Sequence, residues 1–308
     1  MHDSTTRPQI AVCLAAYNGM QWIDEQITSI KAQEGVDVTL YISVDVSTDG
    51  TESHIRTLAE KDDKIVLLPY GDSFGGAAPN FFRLLAEVDF TPYDYVALSD
   101  QDDIWLPDKL FRGIKALATS GADGYSSNVT AFWENGRERI IDKAQTQREF
   151  DYLFEAAGPG CTYVLSASLA NKVKECVVKK AGEIKNIGLH DWFIYAFARS
   201  NGFKWIIDPA PSMLYRQHST NQVGVNQGFR AFHARSRKIL NGWGFQQASM
   251  IAQLVGNSTN QPQARLCSMR RKDLVWLAVN SSKFRRRLRD RYFFAASCIG
   301  ALILYKVK

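Results

Sequence analysis

The stretch of sequence that decides the fold is Leu98-Ser99-Asp100-Gln101-Asp102-Asp103-Ile104-Trp105. The apolar run at residues 95–98 ends in three carboxylates within four residues, and a Leu-Pro-Asp-Lys sequence that favours a helix start follows. This pattern predicts a β-strand that delivers acidic side chains to one edge of a sheet. Ligands of open α/β sheets bind at the carboxyl ends of the strands, so the acidic cluster falls where an active site is expected.

The three carboxylates suggest a metal site. Neighbouring carboxylates raise each other's pKa values, whereas a divalent cation with oxygen ligands would hold them ionised together. The alternative is a solvated acidic turn in which Asp102 or Asp103 caps the following helix. Spacing alone leaves both interpretations open, because short acidic turns are common.

Short apolar strands alternate with amphipathic helices over the first 120 residues. The patterns predict strands at residues 10–16, 38–44, 65–68 and 94–99, and helices at residues 22–30, 52–60, 80–88 and 110–119. This alternation predicts an α/β fold with a doubly wound, mostly parallel sheet. The loops after three of these strands would bring Tyr17, Asp45 and Asp100 to one edge.

Beyond residue 120 the pattern is looser. It predicts strands at residues 123–130, 161–166 and 205–207, and helices at residues 169–178 and 188–199. Only helices are predicted from residue 229 onward. The expected organisation is therefore an α/β domain at residues 1–226 followed by a helical C-terminal region at residues 227–308.

The cysteines and the apolar segments indicate where the protein acts. Five cysteines without metal-like spacing indicate neither a disulfide framework nor a zinc site, which fits a reducing compartment. The N-terminus is polar, and no stretch reaches the ~20 apolar residues of a spanning helix. The sequence thus predicts an active site on the cytoplasmic side.

Several motifs in order resemble those of the family 2 glycosyltransferases, which have the nucleotide-binding GT-A fold. Residues 10–18 resemble the family's opening strand and Tyr-Asn turn, residues 47–51 match its Ser-Thr-Asp-Gly-Thr turn, and residues 99–105 resemble its metal-binding acidic motif. Together with Gly-Cys-Thr at 160–162, His-Asp-Trp at 190–192 and Tyr-Arg-Gln-His at 215–218, the chain is most similar to bacterial rhamnosyltransferases of cell-wall polysaccharide and O-antigen synthesis. The resemblance covers about residues 9–225. One departure is Val44-Asp45-Val46, where the family usually has Asp-Asp-Gly.

The resemblance implies an inverting, metal-dependent hexosyltransferase that moves L-rhamnose from dTDP-β-L-rhamnose to a hydroxyl of a cell-surface glycan, often polyprenyl-linked. It implies Mg²⁺ or Mn²⁺ bound by Asp102, with Asp100 near the ribose or the metal and His218 completing the metal shell. It also implies Asp191 as general base, with His190 orienting it or touching the acceptor. For His218, the alternative is a structural loop histidine. For Asp191, the alternative is an acidic first-turn residue favoured by the helix dipole.

Further site residues follow from the same resemblance. Those implied for the donor nucleotide are Ala16, Tyr17, Asn18, Asp45, Asp100 and Arg216, the last as a phosphate clamp. Those implied for the sugar or acceptor pocket are Gly160, Cys161, Trp192 and Asp103. Simple packing is the alternative for Trp192, and helix capping is the alternative for Asp103.

The net charge of +5 is unevenly distributed. Residues 263–308 contain twelve Lys or Arg and two Asp, a net charge of +10, so residues 1–262 carry −5. A polybasic run at residues 283–291 precedes fourteen residues, 292–305, without a charge. That length is too short to span a bilayer but suits an interfacial segment drawn to anionic lipid. The sequence predicts a peripheral protein on the inner membrane surface; the alternatives are a core or homodimer helix and a nucleic-acid patch, and nucleic acid is not expected as a partner.

Three other functions remain open at this point. The same fold and mechanism would serve another donor, such as UDP-galactose or UDP-glucose. Phosphoryl or nucleotidyl transfer also uses metal-bound carboxylates, although the chain has no P-loop. A sugar-nucleotide-binding or scaffold protein would need no catalysis.

Overall fold

The computed structural model describes residues 7–218, 242–256 and 261–304. These residues belong to two compact units. The first unit lies within Met1–Ala144, Gly158–Asp191 and Phe203–Gln222, and the second within Gln145–Ala157, Trp192–Gly202 and Val223–Lys308. The predicted boundary between residues 226 and 227 falls outside the described residues and stays a prediction.

The first unit contains eleven strands in the part of the chain that is described. They are β1 (Gln9–Ala16), β2 (Asp37–Val44), β3 (Ile65–Leu67), β4 (Tyr95–Ser99), β5 (Ile104–Trp105), β6 (Gly124–Ser127), β7 (Val129–Trp133), β8 (Glu138–Ile141), β9 (Val164–Ser166), β10 (Trp205–Asp208) and β11 (Met213–Gln217). Its helices are α1 (Ile23–Lys31), α2 (Thr51–Ala59), α3 (Ala77–Glu87), α4 (Lys109–Ser120), α5 (Ala167–Lys179) and α6 (Ala181–Ile184). Helix α7 (His190–Ser200) begins in the first unit and continues in the second.

The main sheet has seven strands in the order β10-β6-β9-β4-β1-β2-β3. Strand β1 is parallel to both of its neighbours, β2 and β4, and β9 alone runs antiparallel to the strands beside it. The prediction of an α/β fold with a mostly parallel sheet is confirmed. Ala16 pairs with Val44 and Leu14 with Ser99, so β1, β2 and β4 end at the same edge.

The apolar run of β1 explains why it is the centre of this sheet. Residues 10–14 are fully buried, so side chains on both faces of the strand lie in the core. A strand covered on both faces needs a continuous apolar sequence rather than an alternating one. That sequence pattern was sufficient to predict the strand.

The predicted strand at residues 123–130 is wrong in one respect. It is two strands, β6 in the main sheet and β7 in a second sheet with the order β5-β11-β7-β8. Asn128 lies between them, and its side chain is buried and hydrogen-bonded to Pro209 O (2.8 Å) and to the N–H of Lys143 (2.6 Å). The Asn128 backbone also donates to Asp208 O at 2.9 Å and accepts the Ser212 N–H at 3.3 Å, so backbone and side-chain bonds together hold the residue at which the chain passes from one sheet to the other.

Other differences concern short elements. Residues 160–162 form a 3₁₀ turn rather than the start of a strand, so only residues 164–166 are extended. Strands β5, β8 and β11 were not predicted, because β5 has two residues and β8 is largely exposed. Strand β11 nevertheless carries site residues.

In the second unit, the described residues after position 241 form helices only, as predicted. The helices are α8 (Trp243–Val255), α9 (Gln261–Ser268), α10 (Arg271–Val279), α11 (Ser281–Phe284) and α12 (Leu288–Leu304). No helix in residues 7–218, 242–256 or 261–304 is long and apolar enough to cross a membrane.

Part of the basic run at residues 283–291 is directed into the second unit. Arg286 is only 4% exposed, and its Nε lies 3.0 Å from Glu155 and 3.7 Å from the buried Asp151. Arg285 also pairs with Glu155 at 3.0 Å. The sequence did not indicate these internal ion pairs, because the acidic partners lie about 130 residues earlier.

Candidate active site

The loop at residues 17–20, which follows β1, is held by side chains through every one of its backbone N–H groups. The acceptors, in chain order, are Gln101 Oε1 (2.8 Å), Ser47 Oγ (3.0 Å), Thr51 Oγ1 (2.8 Å) and Asp49 Oδ2 (3.0 Å). Asn18 accepts the Thr48 N–H in return at 2.8 Å and has a φ of 45°, a left-handed conformation that Asn tolerates. The Ser-Thr-Asp-Gly-Thr turn therefore fixes the loop in which Tyr17 and Asn18 are predicted to meet the nucleotide.

Ala16 is the last residue of β1, and Asp45 directly follows the neighbouring strand β2. Ala16 is buried, and its carbonyl accepts the Asp45 N–H at 2.8 Å. The Asp45 carboxylate accepts N–H groups from Val46 (2.8 Å), Phe74 (2.9 Å) and Gly75 (3.0 Å). Asp45 thus holds the Gly-rich loop at residues 71–76, and its role in binding the nucleobase stays a prediction.

Asp102 and His218, the two main predicted metal ligands, lie together. Asp102 Oδ2 is 2.7 Å from His218 Nε2, although 116 residues separate them. Strand β11 pairs with β5, which brings His218 to the acidic loop. The His218 ring also packs on Trp22, with 4.1 Å between the ring centroids.

Arg216 supports the acidic loop. Its Nε donates to Asp102 O at 2.7 Å, its backbone N–H donates to Asp103 Oδ1 at 3.0 Å, and its guanidinium forms an ion pair with Glu25. It also lies 4.6 Å from the ring centroid of Phe132. The predicted contact of Arg216 with a phosphate stays a prediction.

Asp100, Asp103 and Cys161 form a second group, with one ligand atom from each within 4.8 Å of the others. Burial and the Asp102 charge raise the pKa of Asp100 to about 7 and raise the pKa of Asp103 well above its ordinary value. Burial, followed by the Asp103 and Asp100 charges, raises the pKa of the Cys161 thiol well above its ordinary value. Cys161 is therefore a neutral thiol in the absence of a cation, and Mg²⁺ and Mn²⁺ prefer oxygen ligands to sulfur.

The capping alternative for Asp102 and Asp103 is wrong, because α4 begins at Lys109 and Asp108 precedes it. Asp103 is 1% exposed, and its Oδ2 is buried without a hydrogen-bond partner. That oxygen lies close to the Asp100 and Asp102 charges, and Asp102 in turn contacts the His218 imidazole. The cluster as a whole fits a divalent cation with oxygen and nitrogen ligands. Asp102, His218 and Asp100 would hold it.

Lys109 is a buried charged residue that the sequence did not single out. Its Nζ lies 3.6 Å from the Trp105 ring centroid and has no hydrogen-bond partner. Burial lowers the pKa of Lys109 to about 7, against the opposing influence of Cys161 and Asp103. Burial therefore removes part of the positive charge that Lys109 would otherwise carry near the acidic group at neutral pH.

His190 and Asp191 begin helix α7 beside Gly160. The His190 ring stacks on Phe81, with 3.9 Å between the ring centroids, and its buried Nε2 has no hydrogen-bond partner. A Cβ at Gly160 would lie 2.4 Å from that Nε2 and 3.2 Å from Asp191 Cβ. Burial lowers the pKa of His190 to about 3, so the imidazole is neutral at physiological pH.

Asp191 is electrostatically close to the acidic loop. Its charge is one of those that raise the pKa of Asp100 to about 7, although burial and Asp102 contribute more. The first unit thus brings together a predicted general base, the predicted metal ligands and the predicted nucleotide loop. Trp192 belongs to the second unit, where it is buried and its indole N–H donates to Tyr152 O at 2.9 Å.

The model of the family described as "Glycosyl transferase family 2" matches residues 11–164. A relative from Shigella flexneri, described as "dTDP-rhamnosyl transferase RfbG", is 44% identical over 80% of this chain and 86% of its own length. The chain belongs to the family 2 glycosyltransferases, and it is a glycosyltransferase as predicted.

Solved structures show the same fold. One is S. aureus TarS 1–349 in complex with UDP-GlcNAc, with a TM-score of 0.56 and 13% identity over 96% of this chain and 89% of that chain. Another is the mannosyltransferase PcManGT from Pyrobaculum calidifontis with GDP-Man and Mn²⁺, with a TM-score of 0.50 and 18% identity over 97% of this chain and 87% of that chain. The predicted GT-A-like fold is confirmed.

Proposed function

We propose that this glycosyltransferase moves L-rhamnose from dTDP-β-L-rhamnose to a hydroxyl of a cell-surface glycan, with inversion and with a divalent cation. The observation that carries the mechanism is the position of Asp191 beside Gly160, whose chain neighbour Cys161 has its sulfur within 4.8 Å of carboxylate oxygens of Asp100 and Asp103. The description of the Shigella flexneri relative as a dTDP-rhamnosyl transferase supports the choice of donor.

Asp191 is the general base of the proposed reaction. It accepts the proton of the acceptor hydroxyl as the oxygen attacks the anomeric carbon, a role that contributes ~10²–10⁴-fold to a rate. Burial lowers the pKa of His190 to about 3, which makes its imidazole a weak base, so His190 orients Asp191 or donates to a sugar hydroxyl instead. One base on the acceptor side implies a single displacement, so a β-linked donor gives an α-L-rhamnoside.

The donor diphosphate lies beside Asp102, Asp100 and His218 in this proposal. Mg²⁺ or Mn²⁺ held there would neutralise the charge of the nucleoside diphosphate leaving group. The loop at residues 17–20 and Asp45 bind the nucleoside, and Arg216 contacts a phosphate. The pocket for rhamnose or the acceptor includes Gly160, Cys161 and Asp103, all in the first unit.

The donor is tested by measuring binding and turnover of dTDP-L-rhamnose, UDP-glucose and UDP-galactose with Mn²⁺ and with EDTA. We expect kcat/KM for dTDP-L-rhamnose to exceed that for each UDP-hexose by about tenfold or more, the discrimination that contacts to sugar hydroxyls provide. EDTA should abolish turnover. Faster turnover of a UDP-hexose would overturn the donor assignment, and cleavage of the diphosphate bond would favour nucleotidyl transfer instead.

A polyprenyl-linked acceptor would place the enzyme at the cytoplasmic face of the membrane, and the helical region at residues 227–308 would attach it there. Helix α12 supports this proposal. Leu288 (62% exposed), Tyr292 (70%), Phe293 and Ile299 are exposed apolar or aromatic side chains on this helix, next to the exposed Arg289. An apolar helix surface with an adjacent cation is complementary to anionic lipid rather than to water.

Serine substitution of both Tyr292 and Phe293 is expected to weaken co-sedimentation with vesicles of phosphatidylcholine and phosphatidylglycerol roughly tenfold, because the apolar area entering the interface is lost. Ile140→Ser is the control, since Ile140 is an exposed apolar residue of the first unit. Unchanged vesicle binding, or a double variant that instead converts a homodimer to a monomer in light scattering, would contradict the membrane assignment.

A further inference from the structure

We propose that Gln101 is a positioning residue that fastens the loop at residues 17–20 to the acidic loop at residues 100–103, and that Gly19 leaves the room for it. Gln101 is the middle residue of the Asp-Gln-Asp sequence, and its side chain is not one of the predicted ligands. The inference rests on the proposed function, since it takes residues 17–20 as the loop that binds the donor nucleotide.

Both polar atoms of the Gln101 amide bond to the backbone of one residue. Oε1 accepts the Tyr17 N–H at 2.8 Å, and Nε2 donates to Tyr17 O at 2.9 Å. A backbone neighbour in a sheet makes the same pair of bonds. The register of β1 with β4 ends at Leu14 and Ser99, so the side chain of Gln101 continues the link where the strands have ended.

Gly19 supports this assignment independently. A Cβ on Gly19 would lie 2.5 Å from Gln101 Oε1 and 3.0 Å from Gln101 Cδ. Gly19 is not among the glycines with positive φ, so its backbone conformation does not require glycine. The absence of a side chain at this residue therefore serves the Gln101 amide.

The contact between Gln101 and Tyr17 links two predicted parts of the donor site. Its neighbours Asp100 and Asp102 are the predicted ribose and metal residues, and its side chain holds Tyr17, the predicted nucleotide residue. The other three N–H groups of the loop bond to the turn at residues 47–51. Losing the Gln101 contact would leave that turn intact but release the loop from the acidic side, which should weaken nucleotide binding by making the bound arrangement less populated.

The test combines Gln101→Met, which keeps the length of the side chain without its hydrogen bonds, with Gly19→Ala, which displaces the amide from the other side. We expect each variant to weaken binding of dTDP in EDTA roughly tenfold, as two modest hydrogen bonds allow. In turnover with Mn²⁺, KM for the donor should rise more than kcat falls. Faster hydrogen exchange at the Tyr17 amide should accompany both changes.

The double variant separates a shared contact from two unrelated defects. If both substitutions act through one contact, the double variant should bind dTDP no more weakly than either single variant; effects that multiply would overturn the proposal. Gly182→Ala and Gln253→Met are matched controls, because a Cβ at Gly182 meets nothing within 4 Å and Gln253 is an exposed residue of α8.

Failure of the inference differs from failure of the proposed function. If the wild type binds dTDP and both variants bind it equally tightly, the role of Gln101 is overturned and the proposed function is left intact. Wild-type preference for UDP, weakened tenfold by both variants, would overturn the donor and leave the role of Gln101 intact. Absence of any nucleotide binding by the wild type would overturn both.

Discussion

Asp191→Asn is expected to lower the rate of sugar transfer by ~10²–10⁴-fold while changing donor affinity by no more than about twofold. Asparagine keeps the size of the side chain but cannot accept the acceptor's proton. The neighbouring His190 cannot replace the base efficiently, because burial lowers its pKa to about 3. Single-turnover transfer to acceptor and calorimetric titration with dTDP-L-rhamnose measure the two quantities separately.

Asp63→Asn is the matched control for this substitution, since Asp63 is an exposed aspartate between α2 and β3. It should leave transfer unchanged. Loss of donor affinity equal to the loss of rate in Asp191→Asn would instead place Asp191 in donor binding. Full transfer by Asp191→Asn would assign the base to another residue, whereas a biological role that survives the loss of transfer would support the scaffold alternative.

The sequence predicted the main sheet because its central strands are apolar without interruption. Strand β1 is buried on both faces, and a run of that kind has few other interpretations. The split of residues 123–130 into two strands was not predictable, because it depends on the bonds of Asn128 to Pro209 and Lys143. A local pattern does not contain partners that lie 15 and 81 residues away.

In the candidate site too, local sequence patterns predicted some residues, whereas contacts between distant residues were not predictable. The acidic motif drew attention to Asp100, Asp102 and Asp103. The sequence pattern alone did not indicate that Glu25 and Gln101 support the site. Glu25 lies in the first turn of α1, where an acidic residue is common, yet it pairs with Arg216. The position of Gln101 inside the acidic motif could have singled it out. Its partner is the backbone of Tyr17, 84 residues earlier, and the sequence does not show that contact.

The basic tail illustrates a limit of charge counting. The run at residues 283–291 was interpreted as a surface patch, but Arg285 and Arg286 form ion pairs with Glu155. Buried arginines need paired carboxylates, and sequence does not reveal which distant carboxylate provides them. The membrane assignment therefore depends on the exposed apolar surface of α12 more than on the number of arginines.

Asp102→Ala is expected to weaken Mn²⁺ binding about a hundredfold or more and to abolish the cation-dependent part of donor binding. Altering a residue that only supports a metal ligand typically costs 10–100-fold, and a direct ligand should cost at least as much. His218, 2.7 Å from Asp102, would remain as a nitrogen ligand without its carboxylate partner. Calorimetry or Mn²⁺ electron paramagnetic resonance, with and without dTDP, measures the loss directly.

Asp108→Ala is the control, because Asp108 lies in the same segment, is exposed and makes no helix-capping hydrogen bond. The Asp102 charge helps raise the pKa of Asp100 to about 7, so its removal should lower that pKa and leave Asp100 more ionised at pH 7. Weaker cation binding in Asp102→Ala therefore cannot result from protonation of Asp100. If Asp102→Ala binds Mn²⁺ as tightly as the wild type does, the cation has other ligands. If Mn²⁺ does not change donor binding by the wild type, the cation has no part in the proposed mechanism.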